Sequence, residues 1–295
     1  MSESPLVDIR NLKVMFDTNQ GRRTVVNDVS LQVKPGEVLG ILGESGSGKT
    51  MTTMALLGLI DGYPGVVDGQ ILVRSGTQSV DVLKTPMAAL RVVDGEPEKN
   101  LRKWTKDTRK TMSNHWGHFV TAIFQHPRAS LDPLDTIGSQ VDESVALAHP
   151  GLSKTGIRSK TMEWLEEVQL TDPERVAASY PHELSGGMCQ RAMIAVAIAR
   201  EPQLLIADEP TTGLDSTVRA EIVELFRTLL EKHGRSMMYI SHDIREVLYL
   251  SDRVIVMRHG QIVESVTAED LHTGRGERHP YTKVLMTASE IAFTE

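Results

Sequence analysis

A chain of 295 residues, 40% hydrophobic and 24% charged, has the composition of a globular protein with ample core. Acids outnumber bases by 39 to 32, for a net charge of −7, which argues against bulk nucleic-acid binding and predicts no such partner. One cysteine, Cys189, excludes an internal disulfide or cysteine-built cluster, and the longest apolar run, residues 193–199, is far short of the roughly 18–20 residues of a spanning helix.

The N-terminal residues 1–8 carry acids and a proline, not the basic-then-apolar layout of a leader, so a cytoplasmic chain is expected. Residues 7–16 and 25–33 alternate apolar and polar side chains around the turn-like Asn19-Gln20-Gly21, which predicts a β-hairpin. Phe16, one of five Phe, lies where it could stack on an adenine ring. Lys34-Pro35-Gly36-Glu37 then turns the chain into an apolar strand, residues 38–42.

That strand delivers Gly43-Glu44-Ser45-Gly46-Ser47-Gly48-Lys49-Thr50, which fits G-x-x-x-x-G-K-[ST] and precedes a predicted helix from Met51 to residue 60. Strand, glycine loop and helix are the context in which successive backbone N–H groups cradle phosphates, helped by the helix N-terminus. Lys49 then reaches the β- and γ-phosphates, and the Thr50 hydroxyl ligates Mg²⁺. The motif predicts binding of a nucleoside triphosphate with Mg²⁺.

Further on, residues 69–73 read as more hairpin, and residues 84–117 form a polar stretch broken at Asp94-Gly95-Glu96-Pro97. Six basic residues between Lys99 and Lys110 surround Trp104, as on a solvated surface helix or a docking element for an acidic partner. A strand over 119–124 ends in Gln125, and the pattern from 131 to 180 is helical, with Trp164, Leu165 and Val168 facing inward and Glu163, Glu166 and Glu167 outward. Leu184-Ser185-Gly186-Gly187-Met188 opens an Ala- and Ile-rich helix in which Cys189 is expected half-buried. The buried strand 204–207 is capped by Asp208 and Glu209, a helix follows over 217–232, and the strand 237–240 ends at Ser241-His242. A last hairpin flanks Arg258-His259-Gly260, and the tail around Pro280-Tyr281 is helical.

Four polar candidates thus stand at carboxyl ends of strands, where open parallel sheets place their sites. Asp208 is suited to hold Mg²⁺, and Glu209 to polarise an attacking water. Gln125 and His242 can each contact the water or the γ-phosphate.

In this order the motifs resemble those of the ATP-binding subunits of ABC transporters, over nearly the whole chain. Gly43 to Thr50 resembles the Walker A loop, Gln125 the Q-loop, Ser185-Gly186-Gly187 the signature, Asp208-Glu209 the end of Walker B, Asp215 the D-loop and His242 the H-loop. The resemblance implies an α/β P-loop NTPase core with a mostly parallel sheet, an antiparallel β subdomain and an inserted α-helical subdomain. The single domain would divide into a core with β part (1–125 and 200–265), a helical subdomain (about 126–199) and a tail (266–295). It also implies that the nucleotide is ATP, that Ser185 and Gly187 contact the γ-phosphate bound by a second ATPase subunit, identical or paralogous, and that Phe16 is the A-loop aromatic. Gln125 joins Thr50 and Asp208 around the metal, and Glu209 is the catalytic carboxylate.

Phe124-Gln125-His126-Pro127 and His279-Pro280-Tyr281-Thr282 look most like importers of dipeptides, oligopeptides and nickel. Such a subunit sits at the cytoplasmic face of the membrane against permease subunits and, indirectly, a solute-binding protein. His126, Gly213 and the length of 84–117 depart from the usual pattern, and the lack of cysteines after Tyr281 shifts the expectation from peptides toward nickel or another small solute. A soluble ABC-type ATPase of a carbon–phosphorus lyase complex is similar in the same motifs and is the alternative.

Overall fold

The structure, a computed structural model, describes residues 4–76 and 78–288. Residues 1–3 of the N-terminal stretch and 289–295 of the tail lie outside that range. The chain forms two compact units, Met1–Trp116 with Met238–Glu295, and Gly117–Met237.

In the first unit β1 (Val7–Thr18) and β2 (Gly21–Val33) form the expected hairpin, in register from Val7↔Val33 to Thr18↔Gly21. The turn Lys34 to Glu37 closes on two bonds: the Glu37 N–H donates to the Lys34 carbonyl at 3.1 Å, and the Lys34 N–H to the Glu37 carboxylate at 2.7 Å. It leads into β3 (Val38–Leu42), buried at every residue, where Leu39, Ile41 and Leu42 each contribute about 1.5–3 kcal/mol of burial. The helix α1 (Lys49–Leu57) begins at Lys49, two residues before the sequence suggests, because Gly48 takes the left-handed N-cap position. β4 (Pro64–Ser75) returns antiparallel to β1, and β5 (Gln78–Asp81) completes a sheet of order β2-β1-β4-β5.

The polar stretch 84–117 is more structured than its sequence suggests. β6 (Leu90–Val93) and β7 (Glu96–Lys99) form a hairpin, with Asp94 and Gly95 at φ 50° and 82° in its two-residue turn. α2 (Leu101–Met112) follows, capped by the Asn100 side chain, with its basic residues outward and Trp104 and Met112 buried. The Trp116 indole N–H donates to the Leu57 carbonyl at 2.9 Å. At Gly58, φ 68°, an added Cβ would stand 2.8 Å from Thr108 and 2.9 Å from Met112. The stretch therefore docks on the C-terminal end of α1.

In the second unit β8 (Val120–Ile123) is followed by α3 (Pro127–Ser130), α4 (Ile137–Ala148), α5 (Lys154–Glu167), α6 (Pro173–Ala178) and α7 (Gly186–Ile198). Then come β9 (Leu204–Asp208), parallel to β8, and α8 (Ser216–His233). Side-chain caps fix where the helices start, with Thr136, Ser153, Asp172, Ser185 and Asp215 each accepting a backbone N–H of the first turn. Two expectations are corrected. Cys189 is fully buried, its thiol 3.2 Å from the Pro181 carbonyl. Glu167 turns inward to His233 and Lys232, at 2.5 and 3.0 Å, and although burial pushes its carboxyl up, those partners hold it below the ordinary value.

The chain then runs through β10 (Ser236–Ile240), α9 (Ile244–Leu250), β11 (Arg253–Arg258), β12 (Gln261–Thr267), α10 (Ala268–His272) and α11 (Pro280–Ala288). β3 lies between β10 and β11, parallel to β11, whose outer neighbour β12 is antiparallel. The Val38 N–H donates to Asp252 at 2.8 Å and Arg253 pairs with Glu37 at 2.8 Å, which fixes where β3 begins.

Lys99 is a buried cation of the first unit, 8% exposed, its ammonium 3.5 Å from the Trp104 ring centroid and bonded to the Val66 carbonyl. Burial outweighs the ring's attraction for charge and lowers its pKa from 10.5 to about 7. Between those values the unfolded chain holds more protons than the folded one, so the stability tied to Lys99 rises with pH across that window. Thermal melts should show wild type gaining on Lys99→Met as pH rises from ~7 to ~9; parallel curves would place the ammonium in water.

Candidate functional site

The first unit carries the phosphate loop. Gly43 at φ 151° and Gly48 at φ 103° adopt conformations that side chains rarely take. There is no room for one either: a Cβ on Gly43 would stand 2.3 Å from the Met257 carbonyl, and one on Gly48 2.9 Å from that of Val25. Lys49 is 4% exposed, and its ammonium donates to the Gly43 and Glu44 carbonyls at 2.7 and 2.9 Å. Thr50 is exposed in the first turn of α1, and Met51 half-buried behind it. Glu44, Ser45 and Gly46 are exposed at the crest, whereas Ser47 is buried. The loop thus pairs a compact, hydrogen-bonded base carrying a positive charge with an open rim of backbone, the arrangement of an anion nest.

Phe16 pairs with Arg23 on β2, two residues along from Val25, whose carbonyl abuts Gly48. Two residues of strand are roughly 7 Å, so the ring lies within a nucleotide's reach of the loop. It also packs under Gly62, where an added Cβ would meet it at 2.8 Å. His242 is exposed just past β10. Its turn is pinned by buried Glu246, which accepts from the hydroxyls of Tyr239 at 2.8 Å and Ser241 at 2.9 Å.

The second unit carries the acidic residues. Asp208 ends β9 and is 8% exposed; Glu209 follows with φ 48°, left-handed for a non-glycine residue. That left-handed backbone stores about 1 kcal/mol or more of strain. The carboxylate accepts from the Thr212 hydroxyl at 3.0 Å and from the Gln125 amide at 3.4 Å, so Gln125 and Glu209 stand together although they are 84 positions apart. Thr212 is a member of this group that sequence reasoning did not single out; its place three residues past Glu209 was the available signal.

Ser185 caps α7, its hydroxyl accepting the Met188 N–H at 3.3 Å, and the tip it forms with Gly186 is exposed. At Gly186 an added Cβ would meet nothing within 4 Å, whereas at Gly187 it would stand 2.9 Å from Val218 in the first turn of α8. Asp215 caps that turn, accepting the N–H groups of Thr217 and Val218 at 3.1 and 3.0 Å, so the tip and Asp215 belong to one patch. Arg128, on α3 just past Gln125, donates to the Leu184 carbonyl at 2.8 Å and ties the Gln125 segment to the same tip. Chemically, the second unit presents a fixed carboxylate and an exposed, serine-capped helix end suited to a second anion.

Residues 26–212 match the family model described as ABC transporter. The chain belongs to the ABC transporter family. It is 42% identical over 281 residues to the dipeptide transport ATP-binding protein DppD of Haemophilus influenzae, covering 95% of this chain and 76% of that one. With the oligopeptide transport ATP-binding protein AppD of Bacillus subtilis it shares 37% over 286 residues, 97% of this chain and 78% of the other. A solved structure, the dimeric ATP-binding cassette MJ0796 in a post-hydrolysis state bound to ADP and Pi, superposes with a TM-score of 0.66 at 25% identity, covering 89% of this chain and 98% of that one.

The chain is accordingly an ATP-hydrolysing subunit of an ABC transporter, with that family's ATPase fold: a mostly parallel sheet, an antiparallel β subdomain and a helical subdomain. Among the described residues no helix is long and apolar enough to cross a membrane. Thr212→Val keeps the shape of the Glu209 turn and removes its hydroxyl donor. It should lower kcat roughly tenfold with the ATP dissociation constant unchanged; single-turnover and binding measurements separate the two.

Proposed function

We propose that this chain energises an importer of peptides from the cytoplasmic face of the membrane, working head to tail with a second ATPase subunit around two ATP molecules. The observation that carries the reading is the presence, on one chain, of a preformed glycine loop and an exposed serine-capped helix tip whose Gly186 faces open space. The tip serves the triphosphate held by the partner's loop, and the partner's tip serves this chain's. Nickel has no counterpart in the relatives described above, whose names speak of dipeptides and oligopeptides.

In this reading the loop amides from Ser45 to Met51 and the Lys49 ammonium bind the phosphates, Phe16 stacks on the adenine, and Asp215 shapes the subunit contact. Thr50 and Asp208 are hard oxygen donors at a helix start and a strand end, which suits Mg²⁺, and Gln125 completes their set. The metal's contribution is neutralisation of phosphate charge. The remaining work falls to the chain. Glu209, held by Thr212 and Gln125, takes the proton of the attacking water, and His242 contacts the γ-phosphate. Positioning and electrostatics carry the reaction. Permease subunits dock on the segment after Gln125, where Leu134 is 84% exposed, and a solute-binding protein supplies the cargo to them.

Glu209→Gln should retain ATP binding, lose hydrolysis by ~10²-fold or more, and accumulate as an ATP-bound dimer in size-exclusion chromatography; wild-type turnover would remove Glu209 from the role of base. Ser185→Asp keeps the N-cap but sets a carboxylate against the partner's triphosphate. It should abolish both ATP-dependent dimerisation and hydrolysis while leaving monomer stability and nucleotide affinity intact. Full hydrolysis by a strictly monomeric preparation contradicts the shared site.

A further inference from the structure

Tyr281 stands at the second position of α11 and is 5% exposed, yet its hydroxyl reaches the start of the phosphate loop. The Glu44 N–H donates to the Tyr281 hydroxyl oxygen at 3.0 Å across 237 positions of chain. The Arg258 guanidinium lies 4.7 Å from the centroid of the same ring. Behind the ring the chain is anchored: the His279 N–H donates to the Glu264 carboxylate at 3.1 Å, and Arg278 lies 3.7 Å from that carboxylate. The Tyr281 N–H in turn donates to His279 Nδ1 at 3.1 Å. Burial pushes the phenol above its ordinary value, so the hydroxyl stays protonated at physiological pH.

The loop is held from a second direction as well. The Gly260 N–H donates to the Ser47 carbonyl at 3.0 Å, and the Gly260 Cα is 3.3 Å from where a Gly48 Cβ would stand. Arg258 and Gly260 belong to one β11–β12 turn, so that turn grips the loop directly at Ser47 and, through the Tyr281 ring, at Glu44. Lys49 already bonds the carbonyls of Gly43 and Glu44. The Tyr281 hydroxyl adds the complementary contact to the Glu44 N–H, so both polar groups of that peptide segment are occupied before any phosphate arrives.

We propose that Tyr281 is a positioning residue for nucleotide: it holds the phosphate loop in its anion-binding shape in the empty subunit and so sets affinity, not turnover. The inference rests on residues 43–50 being the nucleotide loop. Removing the hydroxyl leaves the Glu44 N–H without this acceptor and lowers the fraction of loop already in the binding shape, and apparent affinity falls by that fraction. Once nucleotide is bound, the phosphates order the loop themselves.

The test is Tyr281→Phe, which keeps the ring under Arg258. Its dissociation constant for ADP and its KM for ATP should rise roughly three- to tenfold, with kcat at saturation unchanged. Hydrogen exchange of peptides spanning Glu44 should quicken in the empty protein and return to the wild-type rate when ADP saturates it. Arg258→Gln, which frees the ring and leaves the hydroxyl, should give a smaller change of the same kind. A merely structural role predicts the opposite split, with kcat and thermal stability falling and KM and ADP affinity unmoved, and that result overturns the proposal. Lys49→Ala is the control for the underlying reading. If it loses ADP binding while Tyr281→Phe keeps wild-type affinity, the Tyr281 inference alone fails. If Lys49→Ala binds ADP as tightly as wild type, the loop assignment fails and carries the Tyr281 inference with it.

Discussion

An eight-residue loop cannot hold backbone N–H groups toward an anion unless something opposes its tendency to relax, and most of the first unit supplies that opposition. Glycine at Gly43 and Gly48 permits the turn but does not enforce it. Enforcement comes from outside: a wholly buried strand fixed at its start by Asp252 and Glu37, a lysine that binds the loop's own carbonyls, and a β-turn and tyrosine from near the C-terminus. The loop is thereby pre-organised, and binding energy goes to the ligand's charge instead of to ordering the backbone.

The second unit solves a different problem. A carboxylate proposed to activate water needs placement to within about half an ångström, yet side chains on strand ends are free to swing. Here the carboxylate of Glu209, on a left-handed backbone, is held by bonds from Thr212 and Gln125. The glycine tip follows another logic. Gly187 is small because Val218 fills its neighbourhood, whereas Gly186 faces open space. One glycine answers to packing and the other leaves room for something outside the chain.

Much of this was legible in the sequence, for a physical reason. The glycine loop, the strand-end acids and the Ser-Gly-Gly helix start are local devices whose chemistry is written in adjacent residues, and the hairpins announce themselves by alternation. What escaped was of two kinds. Some contacts close over distance: nothing near Tyr281 or Glu44 foretells their meeting, and Trp116 gives no sign that Leu57 is its acceptor. Others were masked by composition. Residues 90–99 are polar enough to pass for a break, although Asp94-Gly95 is a hairpin signal that outweighs polarity. Lys99 and Glu167 look like surface charges because charge alone says nothing of a partner. Lys99 lies over Trp104, and Glu167 meets His233.

The short helix behind the loop has two ends committed to different neighbours. One begins in the glycine loop at Lys49; the other is butted by Thr108 and Met112 at Gly58 and tethered by the Trp116 indole. Nine residues of helix make a rod about 14 Å long, stiff over that length and seated at both tips. The outward-facing basic helix α2 and the glycine loop therefore share one rod of helix as their common support, joined by packing at Gly58 and by a single indole hydrogen bond.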